Sequence, residues 1–174
     1  MSHLQKKVRS LSLALVCVLA LGSIAVFAQR QLRTGRTGRP LIKVALHGTV
    51  EREGERIPFD KASAVKPGEL LDWTITAENQ GDGAAHQYKA VGQIPRGTQI
   101  VAGSTNADGS ATVTYSIDNG KSFSQQPLVE ERQADGSTKQ VPAPASMYTQ
   151  IRYEWAEPLV QGGKLNASYK LRVK

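Results

Sequence analysis

VKPGELLDWTITAENQGDGAA, residues 65–85, places a turn, an alternating strand and a glycine-punctuated loop in direct succession. Pro67-Gly68 suits the two central positions of a type II turn, because the proline ring presets the first backbone angle and glycine tolerates the positive second one. Leu71, Trp73, Ile75 and Ala77 then alternate with Asp72, Thr74, Thr76 and Glu78. A period of two is that of a strand with one buried and one wet face; a helix would repeat its apolar positions every three or four residues.

The same period recurs outward from this stretch. Ile42, Val44 and Leu46 alternate with Lys43 and Ala45, which predicts a second half-buried strand with Ile42, Val44 and Leu46 on its covered face. Further candidates run over 88–94, 98–102, 111–117, 148–155 and 165–173; in the last, Leu165, Ala167, Tyr169, Leu171 and Val173 alternate with Asn166, Ser168, Lys170 and Arg172. Turn chemistry separates them: Pro95 with Gly97, Asn119-Gly120, Asp135-Gly136 and Gly162-Gly163. The stretch 125–145 exceeds an ordinary loop, so an inserted hairpin turning at Asp135-Gly136 is expected, with a return stiffened by Pro142 and Pro144. The pattern predicts an all-β fold, an immunoglobulin-like antiparallel β-sandwich of about seven strands, with a barrel as the alternative.

Ahead of this region lies a different kind of sequence. Lys6, Lys7 and Arg9 precede an apolar run from Leu11 to Phe27, and Val26 and Ala28 fit the small-residue positions of a signal-peptidase site. Residues 1–28 therefore read as a signal helix cleaved after Ala28, with an uncleaved membrane anchor as the alternative given the length of the apolar run. Either outcome sends the remainder out of the cytoplasm, since the positive end stays inside. Cys17, the one cysteine, lies within the run, so the chain beyond the leader has no thiol and no disulfide. Residues 29–40, QRQLRTGRTGRP, lack apolar periodicity and read as a flexible basic linker, leaving 41–174 as the folded domain.

The formal net charge of +7 suggests nucleic acid until its location is examined. Of twenty-two basic residues, seven precede Pro40, and the fifteen that follow balance fifteen acidic ones. A nucleic-acid-binding domain would carry the excess on its folded surface, so that class is set aside.

In order and spacing the pieces KPGELLDWTITAENQGDGAA, IPRGTQIVAGS, VTYSIDNGKSF and MYTQIRYEWAEPLVQGG resemble the bacterial conserved-repeat domain of surface proteins, domain of unknown function number eleven. The likeness spans Ile42 to Val173 and rests on Pro67 to Glu69, Asn79 to Gly81, Pro95 to Gly97, Ser116 to Gly120 and Thr149 to Arg152. The resemblance implies an exported sandwich without an assigned enzymatic activity, often found in tandem. This chain holds one copy and no wall-sorting tail, and Gln93 stands where an aspartate is common in that family.

Chemistry-bearing groups are few. Beyond the leader, His47 and His86 are the histidines, and no Gly-x-Ser-x-Gly elbow exposes a serine. Glu51, Glu53 and Glu55 interleave with Arg52 and Arg56 as a solvated, self-neutralised edge, which gives no carboxyl the raised pKa of a general acid. Ser116-x-Asp118-x-Gly120-x-x-Phe123 resembles the Asp-box of sialidase-type propellers, but a propeller needs several copies. Asn106, Asp108 and Ser110 alternate like calcium-loop ligands without the closing bidentate carboxylate, and Asn79 to Asp82 form a similar polar loop. Trp73 and Trp155 fall in the apolar phase of their strands, as core residues rather than a sugar platform. Lys43 and Asn166, with Glu78 as catalyst, are of the right types for an intramolecular isopeptide bond, although both would project from the wet face.

No catalytic, cofactor-binding or metal site is therefore assigned, and no cofactor. The expected function is that of an exported, non-enzymatic cell-envelope or surface module with a structural or adhesive role. Its expected partners are other envelope proteins or a cell-surface polymer, with membrane contact through the N-terminal segment alone if that is uncleaved. A glycan-binding accessory module is the alternative.

Overall fold

The computed structural model describes residues 38–174. The expected signal helix, Cys17, the cleavage position after Ala28 and the linker up to residue 37 lie outside the described residues. The alternation read from the sequence becomes eleven strands: β1 (Ile42–Arg52), β2 (Glu55–Pro58), β3 (Leu70–Asn79), β4 (Lys89–Gln93), β5 (Thr98–Ile100), β6 (Asn106–Ala107), β7 (Ala111–Ser116), β8 (Leu128–Arg132), β9 (Thr138–Pro142), β10 (Gln150–Trp155) and β11 (Lys164–Val173). A single 3-10 turn, Ala145–Met147, supplies what helical structure there is among the described residues. Six strands form one sheet in the order β2-β1-β3-β11-β5, with β6 also on β11; three form a second, β4-β10-β7; β8 and β9 pair alone. Every pairing is antiparallel.

The seven strands expected from alternation are all present. The expected inserted hairpin is β8 and β9, closed where Gln133 N donates to Ser137 O and Gly136 N to Gln133 O. β2 and β6 are additional; both are short and polar, and their register comes from a longer neighbour rather than from a pattern of their own. The turn that opens residues 65–85 takes its expected form, with Gly68 at φ 88 and Glu69 N donating to Lys66 O.

The two larger sheets press their apolar faces together. Val50, Leu71, Ile75, Ala167, Tyr169 and Leu171 come from the first, Ala90, Ile151, Tyr153 and Trp155 from the second. Burying the larger aliphatic side chains among these contributes roughly 1.5–3 kcal/mol each. Two hydroxyls bond the sheets reciprocally: Tyr153 OH donates to Ser168 O at 2.7 Å, and Tyr169 OH donates to Gln93 O at 2.9 Å. The Tyr169 ring lies so close to β4 that a Cβ at Gly92 would collide with it. Desolvation raises both phenols, Tyr169 to about 12.

Asn79 seals one end of the sandwich and is wholly buried. Its Nδ2 donates to Gly83 O and Leu159 O, while its Oδ1 accepts from Leu41 N and Gly81 N. One side chain thus joins the entry to β1, the 80–83 loop and the β10–β11 connection. Arg39, the penultimate residue of the expected linker, is already engaged, its N–H donating to Asp82 Oδ1 at 2.7 Å.

In one respect the expected strand pattern is corrected. Ile42, Val44 and Leu46 do face the inner side, opposite Asn79, Ala77 and Ile75, but Val44 is 55% and Leu46 53% exposed. Covering a sheet takes a second layer above it, and the second sheet is three strands wide against five. Phe59, packed over Gly48 and edge-on to Trp73 at 4.9 Å, shields the later half of β1; Ile42 touches the small cluster of Ala77, Ala85 and Leu159.

Candidate functional site

Most polar groups singled out in the sequence turn out to be spent on the fold. Asp118 accepts from Ser116 Oγ (2.7 Å), Ser122 Oγ (2.6 Å) and Ser122 N (3.0 Å), and Ser116 Oγ accepts from Gly120 N. These hydrogen bonds, those from Ser122 foremost, hold the Asp118 carboxyl far below the usual carboxylate range. The Asp-box-like hairpin is thus a self-bonded turn, and it lays Phe123 against Arg152, whose guanidinium sits 4.0 Å from the ring centre.

Asp108, central to the calcium-like loop, accepts through Oδ2 from Asn166 N at 2.9 Å and from Asn166 Nδ2 at 2.8 Å, and its carbonyl accepts from Trp155 Nε1. Asn106 Oδ1 accepts from Ala107 N. In the 79–82 loop the side-chain oxygens Asn79 Oδ1 and Asp82 Oδ1 accept from backbone amides. Among the described residues no three His, Asp or Glu side chains converge.

Trp155 is buried and near-parallel to Tyr88 (5.6 Å) and Tyr153 (6.1 Å). Its edge reaches an open hollow of about 370 Å³ lined also by Gln87, Lys89, Thr112 and Glu154, where Lys89 Nζ lies 3.2 Å from Glu154 Oε2. Trp73 is half-buried under Phe59. His47 and His86 are exposed on separate elements.

The three residues typed for an isopeptide bond do share a surface. Glu78 stands opposite Lys43 on one side and Lys164 on the other; with Thr76 and Asn166 they line a shallow hollow of about 270 Å³ on the outer face. Amide formation there needs a lysine amine stripped of water and a carboxamide free to be attacked. Neither condition is met: Lys43, Lys164 and Asn166 are exposed, Lys164 Nζ is 3.6 Å from Glu78 Oε1, and the Asn166 amide is bonded to Asp108. What remains is a solvated polar cluster with one ion pair, Lys164 to Glu78.

The feature with unmet bonding capacity is the leading half of β1. β2 pairs with Thr49–Arg52, and Phe59 N donates to Gly48 O, which leaves the other edge of β1 from Ile42 to His47 without a sheet neighbour among the described residues. An open edge flanked by exposed Leu41, Val44 and Leu46 combines backbone hydrogen-bonding groups with apolar surface. Sequence alternation identified these residues as apolar and extended, but the missing cover depends on the width of the opposite sheet, a non-local property.

No family model, curated protein or solved structure matches this chain.

Proposed function

We propose that this protein is an exported, non-enzymatic module of a bacterial cell envelope or surface, structural or adhesive in role, working by protein interaction. The proposal includes the finer reading of the sandwich as immunoglobulin-like and akin to the conserved-repeat domain of surface proteins. The observation that carries it is the contrast in bonding capacity. Asp108, Asp118 and Asn79 are consumed by internal hydrogen bonds, while the leading half of β1 keeps an open edge beside exposed Val44 and Leu46. Such an edge offers main-chain bonds to an extended partner and side-chain contacts at alternate positions, the mode called β-augmentation. The basic start and apolar run of residues 1–28 motivate the extracytoplasmic location.

Fractionation with in-cell crosslinking tests compartment and partner together. The expected result is the chain in the extracytoplasmic or membrane fraction, joined to an envelope component through positions on or next to β1. Residence in the cytoplasm would remove the proposal.

A further inference from the structure

We propose that the open edge of β1 is a self-recognition surface, on which a second copy of this chain adds its own β1 antiparallel across a two-fold axis through Val44. The inference rests on reading the domain as a protein-interaction module, and it names the partner.

The backbone directions follow from the hydrogen bonds at the two ends of the strand. Gln80 N donates to Leu41 O and Leu41 N donates to Asn79 Oδ1, so Leu41 turns toward β3, whereas Gly48 O accepts from Phe59 N on the opposite edge. The pleat alternates these directions, so Ile42, Val44 and Leu46 point their N–H and C=O groups out of the open edge. These three residues are spaced symmetrically about Val44. A two-fold axis there, perpendicular to the sheet, puts Val44 opposite the second copy's Val44 and Ile42 opposite its Leu46. All three pairs exchange main-chain bonds, and Gly48, already bonded to Phe59, is left out.

The side chains agree with that register. The inner-face residues of both copies are apolar, and Val44 and Leu46 are about half exposed in one copy alone. On the outer face Lys43 falls opposite the second copy's Ala45 and keeps Glu78 beside it in its own chain, so no like charges meet. Natural edges are usually blunted by shortness, proline, bulges or charge. β5 has three residues, β7 is bridged by Ser124 next to Tyr115, and β4 begins with Lys89. Over 42–47, β1 carries one lysine, Lys43, which stands opposite Glu78 of its own chain, and has neither a proline nor a break in register. One strand pair with a few side chains is a small interface, so the dimer forms in a concentration-dependent way and is favoured where copies are crowded.

The test uses the full chain, detergent-solubilised, with Cys17→Ser throughout to remove the native thiol. Val44→Cys places two thiols across the axis; oxidation is expected to give a disulfide-linked dimer, while Lys164→Cys, two strands inward, stays monomeric. In sedimentation velocity the parent is expected to show a concentration-dependent dimer. Val44→Pro deletes an N–H that the fold itself leaves unbonded, and is expected to abolish the dimer. Val44→Lys is expected to do the same and decides the matter should the proline variant not fold. A Val44→Cys chain that remains monomeric on oxidation, or folded Pro and Lys variants that dimerise like the parent, would overturn the proposal. Either result, alongside in-cell crosslinks to a different envelope component, sinks self-pairing and leaves the envelope role standing; a dimer in a chain found in the cytoplasm does the reverse.

Discussion

β11 and the leading half of β1 carry the same written pattern and end in opposite surroundings. In β11 the inner-face residues Ala167, Tyr169 and Leu171 are all but inaccessible, Leu171 at 0%. In β1 the inner-face residues Val44 and Leu46 stay more than half open. β11 has β3 on one side and β5 and β6 on the other, with the second sheet above it, whereas among the described residues β1 is an edge strand over 42–47 whose Val44 and Leu46 lie beyond the second sheet's cover. Alternation decides which face a side chain points to; burial is decided by what the rest of the chain brings over that face.

The sharpest way to break this contrast is to truncate equivalent positions. Leu171→Ala is expected to cost about 3 kcal/mol, the lost transfer energy plus the cavity left in a site closed on all sides. Urea unfolding followed by tryptophan fluorescence checks it. A cost under about 1 kcal/mol would mean that the two strands are not energetically distinct.

Asn79→Ala comes next, at about 2–3 kcal/mol. The substitution removes all four hydrogen bonds of a wholly buried side chain; Leu159 O keeps Ala85 N as a donor, but Gly83 O, Leu41 N and Gly81 N lose the partner that Asn79 supplied. The same urea titration reads the loss, and proteolysis within 80–83 should quicken if the loop is released.

Tyr169→Phe is expected to cost about 1 kcal/mol through the lost bond to Gln93 O. It also sharpens a pH dependence. Burial raises the folded pKa of Tyr169 to about 12 and raises Tyr153 as well, against about 10 in the unfolded chain. The unfolded state therefore gives up these protons first. Their contribution is complete below pH ~10 and is lost as pH climbs from there toward 12, at up to about 1.4 kcal/mol per pH unit for each phenol. Stability measured from pH 9 to 12 should fall less steeply in Tyr169→Phe; an unchanged slope would place the alkaline sensitivity elsewhere.

These effects locate what the sequence made legible. The Pro67-Gly68 turn, the alternation of β3 and β11 and the Asp135-Gly136 hairpin were readable because each is decided by residues within a few positions of one another. The role of Asn79 was not: it reads as a turn residue, and its fourfold bonding appears only when Leu41, Gly83 and Leu159 converge on it. Lys43, Glu78 and Asn166 were rightly gathered on one surface by strand parity, but parity is blind to Asp108, which holds the Asn166 amide from a loop 58 residues away. The candidate edge needed the most distant information, since the open side of β1 exists only because β2 is short and the second sheet narrow.

The smallest expected effect is the most discriminating. Val44→Ser removes a branched side chain from the inner face of a strand, and by sequence pattern alone it should cost as much as a comparable change in β11. The structure places Val44 beside water, so little transfer energy is at stake and the expected change in the unfolding midpoint is under about 0.5 kcal/mol at low protein concentration. If β1 pairs with itself, the cost of Val44→Ser should grow with protein concentration, because a folded dimer gains stability by mass action and a monomer does not. Thermal unfolding at two concentrations a hundredfold apart separates the cases: a midpoint that rises in the parent and stays fixed in Val44→Ser assigns the side chain to an interface, and a large loss at both concentrations returns it to the core.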